Sequence, residues 1–132
     1  MFGYCICVTA VVLITAMFIA FARENDNTNI EFLTSYGWEV IPDAVEYERI
    51  TLPDASDKVF SNYNLLQKEA GLDLTPYYSM EAERFTYIVK NYPYPTEAEV
   101  RANVLCVKQK PIAGDIMTLQ LDGFMHSLVY PR

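Results

Sequence analysis

The first 22 residues, MFGYCICVTAVVLITAMFIAFA, hold no charged side chain, while every charge of the chain lies after them. Crossing a hydrocarbon core takes about 20 consecutive apolar residues in helix, and Met1 to Ala22 meets that length. Thr9 and Thr15 are compatible with a span, because each hydroxyl can bond a carbonyl one turn back. The segment has no polar face, which separates it from a helix on the surface of a soluble core. A transmembrane anchor and an uncleaved signal are therefore the expected forms. The rival is a signal peptide cut after Ala22, where Ala20-Phe21-Ala22 gives a small-x-small pattern. No Lys or Arg precedes the run, which favours retention. Arg23, counted alone under the positive-inside rule, would leave the following domain in the cytoplasm.

Residues 23–132 are enough for one domain with its own core and too few for two. They carry 17 acidic against 10 basic side chains, a net charge of -7. Such a surface repels phosphate backbones and shows no basic stripe, which excludes nucleic acid as a partner. Cys5 and Cys7 lie in the apolar segment, so Cys106 has no partner for an intradomain disulfide.

Arg23 to Asn27 (RENDN) reads as a polar tether, giving a domain plan of 1–22 anchor, 23–28 tether and 29–130 folded unit. Thr28 with Glu31 forms a capping box that opens a helix over Asn29 to Tyr36. Gly37 ends it, and Trp38 folds back over its last turn. Val45 to Leu52 reads as a strand between Pro42 and Pro53, with a change of apolar phase near Arg49 that marks a bulge or an edge. Asp54 is placed to cap a second helix, whose stripe is Val59, Tyr63, Leu66 and Ala70, with Gly71 closing it. Arg84 to Lys90 alternates as a half-buried strand. Val100 to Lys108 and Ile112 to Leu121 pair as a hairpin around Gln109, Lys110 and Pro111, with Val100, Ala102, Val104 and Cys106 on one face and Ile112, Gly114 and Ile116 on one face of the second arm. Asp122-Gly123 turns the chain into a last strand over Phe124 to Val129.

The chemistry these residues offer is sparse. His126 is the only histidine, and no ligand spacing supports a metal site. Asp115, Asp122 and His126 would cluster if the last strands paired, giving an acid/base group. The commoner role of each is structural: a strand side chain, a turn residue and a strand-end ring. Glu46 with Glu48, and Glu97 with Glu99, are spaced as the solvated face of a strand. Cys106, between Leu105 and Val107, behaves as an apolar filler with a raised pKa. No G-x-S-x-G, P-loop or dinucleotide fingerprint occurs, so no catalytic residue, metal ligand or cofactor is assigned. The candidate binding residues are Trp38, Asp115, Asp122 and His126. A tyrosine-lined pocket of Tyr63, Tyr87 and Tyr92 is the small-ligand alternative.

With these stretches in view, the polar part resembles an uncharacterised domain-of-unknown-function family (DUF, number 4830) of membrane-anchored Gram-positive bacterial proteins. The resemblance rests on FLTSYGWEV (Phe32 to Val40), ERITLP (Glu48 to Pro53), NYNLLQKEAGLDLTPY (Asn62 to Tyr77), RFTYIVKNYP (Arg84 to Pro93), VRANVL (Val100 to Leu105), IAGDI (Ile112 to Ile116) and LDGFMHSL (Leu121 to Leu128). It implies a single membrane helix, a short tether and an extracytoplasmic domain, and it supplies no reaction. Relatives usually carry basic residues before the apolar run, so Met1 is expected to be a late or truncated start, which removes the weight of Arg23. The order of helix, GW turn and antiparallel strands is also similar to small exported modules of the PepSY kind, an analogy of fold alone.

The expected fold is α+β: an N-terminal membrane helix, then two helices packed on one face of a roughly four-stranded antiparallel sheet. The expected function is a membrane-anchored extracytoplasmic interaction or sensing module of the cell envelope, without catalysis, whose partner is an envelope protein or peptide. A cell-envelope hydrolase or a small-ligand-binding domain is the alternative.

Overall fold

The computed structural model describes residues 24–132; the proposed anchor over 1–22 lies outside the described residues. No helix of the described residues is long and apolar enough to cross a membrane. Helix α1 covers 24–35, followed by β1 (Glu46–Thr51), α2 (Lys58–Glu69), a 3-10 turn (Thr75–Tyr77), β2 (Glu81–Ile88), β3 (Val100–Val107), β4 (Lys110–Thr118) and β5 (Met125–His126). The strands form one antiparallel sheet in chain order, β1-β2-β3-β4-β5. The sheet therefore has five strands where about four were expected, and α2 is carried in the connection between β1 and β2.

Residues 24–28 are helical, so they form the start of the described α1 instead of a tether. Thr28 is not a cap: its Oγ1 donates to Glu24 O at 3.0 Å, one turn back inside the helix. The sheet holds this turn in place. Asn29 Nδ2 donates to Tyr87 Oη at 3.0 Å, and the Tyr87 hydroxyl donates to Asp26 Oδ1 at 2.7 Å. The helix ends as the sequence implies. Gly37 takes φ 97°, while Trp38 N donates to Leu33 O and Gly37 N to Thr34 O, the paired bonds of a Schellman ending.

Helix α2 starts at Asp57, whose side chain accepts from Phe60 N; Asp54 instead closes a turn onto Ser56 N and Oγ. The buried residues of α2 are Phe60, Asn64 and Gln67, while Val59 points to solvent. Backbone satisfaction overrode the apolar stripe. Asn64 Oδ1 accepts from Leu74 N at 2.7 Å, and Gln67 Oε1 accepts from Gly114 N at 2.9 Å on the outer edge of β4, so both amides are worth burying.

The core lies on both faces of the sheet. Leu33, Trp38 and Val40 pack with Phe85, Tyr87, Ala102, Val104, Cys106, Ile116 and Leu128. On the other face Phe60 and Leu74 pack with Ala82, Leu105, Val107 and Ala113. Alternate β3 residues feed the two clusters, as a strand of period two must when both its faces are covered. The helices thus take opposite faces instead of sharing one, and Tyr36 ties them by donating to Ala70 O at 2.8 Å.

The β3–β4 turn is Lys108-Gln109, both at positive φ (50° and 67°), the two-residue geometry that matches strand twist. Pro111 is consequently inside β4, opposite Cys106 at a register shift after Leu105. That shift moves Ile112 out of the face shared by Gly114 and Ile116 and into the α2-side cluster. Asp122-Gly123 is part of a longer loop over 119–124, and β5 is two residues long.

Candidate functional site

The most concentrated polar chemistry sits beneath α2. Asp115 on β4 lies opposite Asn103 on β3, which lies opposite Thr86 on β2, and all three are buried. Thr86 Oγ1 donates to Asn103 Oδ1 at 2.6 Å, Asn103 Nδ2 donates to Asp115 Oδ2 at 3.0 Å, and the Tyr63 hydroxyl donates to Asp115 Oδ1 at 2.6 Å. Burial raises the Asp115 carboxyl above its ordinary range, against the pull of the Tyr63 and Asn103 bonds and of Arg84. Burial, then the Asp115 charge, pushes the Tyr63 phenol well up. Gln67 Nε2 lies beside that phenol without a well-aligned acceptor, and Arg84 Nε is also buried without a partner. This cluster was only partly legible: Asp115 was a candidate binding residue and Tyr63 a ring of the pocket alternative, whereas Asn103, Thr86 and Gln67 looked like ordinary strand and helix residues. The available signal was an Asn and an Asp inside two apolar runs, at positions that a hairpin places opposite one another.

Trp38 and His126 meet on the other face. Trp38 is fully buried and its Nε1 donates to Leu128 O at 2.7 Å. Its ring lies nearly parallel to Tyr92 at 6.0 Å, and Phe124, Tyr92 and His126 stack at 5.2 to 5.8 Å. His126 Nδ1 is 2.7 Å from Ser127 O, a carbonyl that can only accept, so Nδ1 carries the proton. Nε2 then accepts from the Tyr92 hydroxyl at 3.0 Å. Both ring nitrogens are engaged within the fold.

These placements decide what the candidate residues can do together. Asp115 and His126 belong to opposite faces, since His126 pairs with Ile116, the next residue along β4. Asp122 is exposed in the 119–124 loop. The three do not assemble an acid/base group. Tyr63, Tyr87 and Tyr92 likewise go to three places: under α2, under α1 and in the aromatic corner. Cys106 donates to Asn29 Oδ1, and burial pushes its thiol up to about 12. Among the described residues no group of three or more His, Cys, Asp or Glu side chains is arranged to hold a metal ion.

Glu46 and Glu48 form an exposed ionic ladder, with Arg84 2.8 Å from Glu48 and Arg101 3.1 Å from Glu46. Exposed pairs of this kind contribute about 0–1 kcal/mol each. An open recess of about 340 Å³ lies at the other end of the sheet, lined by Arg49, Met80, Glu81, Glu83, Cys106 and Lys108.

The 119–124 loop carries apolar side chains outward. Leu121 is fully exposed, Leu119 is 62% and neighbouring Met125 48% exposed. The loop is nevertheless tied down: Gly123 N donates to Gln120 O, Thr118 N to Phe124 O, and Phe124 N to Thr118 Oγ1 at 3.2 Å.

Fold and site together define a small α+β domain: a five-stranded antiparallel meander covered on both faces, with Asp115 and Cys106 spent on internal bonds. The chain belongs to the family described as Domain of unknown function (DUF4830), whose model matches residues 32–116. Neither a curated protein nor a solved structure is significantly similar to it.

Proposed function

We propose that the protein is a membrane-anchored, extracytoplasmic interaction module that acts without catalysis and engages an envelope protein or peptide through the 119–124 loop. The observation that carries this reading is the braced loop with Leu121 wholly exposed at its tip. Monomeric proteins rarely hold a cluster of large apolar side chains in solvent unless a partner covers it. A fixed loop also loses little conformational freedom on binding. The uncharged first 22 residues support the anchor. Asp115, Trp38 and His126, all engaged inside the fold, act in this reading as its supports, and Asp122 as a polar rim of the contact.

The test places a photoreactive residue at Leu121, or at exposed Lys108 on the opposite end of β4, in the full chain in intact cells. External protease is added in parallel. The expected result is one discrete cross-linked product from position 121, none from position 108, and digestion from outside at uncleaved length. Equal, diffuse cross-linking from both positions would remove the contact surface. Protection until lysis would remove the extracytoplasmic placement.

A further inference from the structure

The sheet has two edges, and they are treated differently. At one edge β5 is two residues long, and Gln67 of α2 caps Gly114 N–H beside it. At the other, β1 runs unbroken from Glu46 to Thr51 with every side chain but Ile50 exposed, and its register with β2 is regular throughout. Among the described residues, no strand pairs with the outer side of β1. Leu52 N donates to Met80 O at 2.8 Å, in register with the Thr51–Glu81 pair. Alternation along an antiparallel ladder then turns the backbone groups of Glu48 and Ile50 toward β2. The N–H and C=O of Tyr47, Arg49 and Thr51 face outward.

Open edges are ordinarily blunted by Pro, bulges or Lys. Here Pro42 and Pro53 only flank the strand, and the charges within it are chiefly acidic. Those charges act selectively. A second copy pairing antiparallel about a two-fold axis must set one residue opposite itself, because only then do like faces match. Registers centred on Glu46, Tyr47, Glu48 or Arg49 place Glu against Glu or Arg against Arg. Self-pairing in these registers, which overlap most of the strand, is disfavoured.

A basic strand meets the reverse situation. Over residues 43–57, Asp43, Glu46, Glu48, Asp54 and Asp57 stand against Arg49, and β2 adds Glu81 and Glu83 beside the edge; Arg84 and Arg101 pair with Glu48 and Glu46 from the inner strands, which leaves the edge acidic on balance. Glu46 and Glu48 lie on one face, while Val45 and Tyr47, about half exposed, lie on the other. We propose that the outer edge of β1 binds an extended segment of another protein in which basic and apolar side chains alternate, adding it as a sixth strand. Backbone bonds to Tyr47, Arg49 and Thr51 give the affinity, and the two faces of β1 give the selectivity. This site is separate from the 119–124 loop, and its test does not depend on that loop.

The probe is an acetylated, amidated heptapeptide of alternating Lys and Val, titrated against the full chain in detergent by fluorescence anisotropy. Controls are the Glu/Val peptide and a Lys/Val peptide methylated on alternate backbone nitrogens. The expected result is saturable binding of the Lys/Val peptide tighter than about 1 mM, with neither control saturating. Arg49→Pro removes one outward donor and leaves the β1–β2 bonds in place. It also removes a positive charge, so on charge alone it would strengthen binding of a cation. The variant is expected to bind at least about tenfold more weakly, while Arg49→Ala binds as well as wild type or better. Equal binding by Arg49→Pro and Arg49→Ala, or by the methylated peptide, would overturn the strand-addition geometry. Equal binding of the Glu/Val peptide, or no saturable binding at all, would overturn the partner chemistry. Should Arg49→Pro fail to fold, the methylated peptide decides the question on the unaltered protein.

Discussion

Replacing Tyr63 by Phe removes one oxygen from the side of a buried carboxylate and changes almost nothing else. The Tyr63 hydroxyl donates to Asp115 Oδ1 at 2.6 Å, and Asp115 is 2% exposed. A hydrogen bond to a charged group contributes about 1.5–3 kcal/mol net, and a buried acceptor that loses its donor recovers nothing from water. The expected cost is about 2–3 kcal/mol, a large share of the roughly 5–15 kcal/mol that holds a domain of this size. With a urea slope of about 2 kcal/mol/M, the unfolding midpoint falls by roughly 1 M. Trp38, the only tryptophan and fully buried, reports the transition by fluorescence. The pH dependence separates this cause from simple loss of packing. Burial raises the folded pKa of Asp115 above its usual 3.8, so this group's contribution is fully present below the unfolded pKa and lost as pH rises through the folded one. The Tyr63 bond opposes that rise; without it the folded pKa moves further up and the loss deepens. The Tyr63→Phe penalty should therefore be largest at neutral pH, where Asp115 is ionised, and shrink as pH falls through the folded pKa of Asp115. A midpoint shift that is equal at neutral pH and below that pKa, or under about 0.5 kcal/mol at both, would refute the reasoning.

Gly114→Ala should destabilise the fold by about 2–3 kcal/mol in the same assay, because its Cβ would stand 2.5 Å from Asn103 O and 3.0 Å from a Leu128 methyl. Asp73 has the opposite linkage to Asp115. Bonds from Thr75 and Asn64 hold its carboxyl down at about 2, so its contribution is present above the unfolded pKa and lost as pH falls through that value. Asp73→Asn should flatten the acid limb of an unfolding curve taken against pH and leave the neutral limb of the Asp115 effect in place. Cys106, with its thiol pushed up to about 12 and 3% exposed, should resist iodoacetamide in the folded protein. Peptide mapping should find it alkylated only in step with global unfolding.

Both helix endings were legible because their determinants are local: a left-handed glycine followed by an apolar residue, at Gly37-Trp38 and at Gly71-Leu72. The α+β class and the face shared by Ala102, Val104 and Cys106 followed from periodicity. What escaped were features set by long-range partners. Residues 24–28 carry no apolar stripe, yet Tyr87, far along the chain, holds Asp26 and Asn29 and so extends the helix. Val59 matched the stripe but faces solvent, because Asn64 and Gln67 satisfy the backbone of distant segments. The Lys108-Gln109 turn uses two residues in the left-handed region without a glycine, which no local rule announces. Asp115 was named for a cluster with Asp122 and His126 that does not form, and Tyr63 only as a ring of a ligand pocket; their bond joins two elements far apart in sequence, which no local pattern shows.

Gly123 links the shape of the 119–124 loop to the surface it presents. A Cβ at this position would collide with Thr118 Oγ1 and come within 2.9 Å of Gln120 O. Thr118 cannot simply rotate away, since it is 7% exposed at the end of β4 and its Oγ1 accepts from Phe124 N. Gly123→Ala must therefore break that bond and open the turn in which Gly123 N reaches Gln120 O. The cost to the global fold is about 1 kcal/mol, one hydrogen bond at the periphery, because Leu119 and Leu121 bury little to begin with. The consequence for the contact surface is larger, since the loop no longer holds Leu121 at a fixed tip. The expected result is a urea midpoint close to wild type together with loss of the discrete cross-link from position 121. If that cross-link survives unchanged in Gly123→Ala, the contact does not require the braced loop, and an apolar side chain alone would account for it.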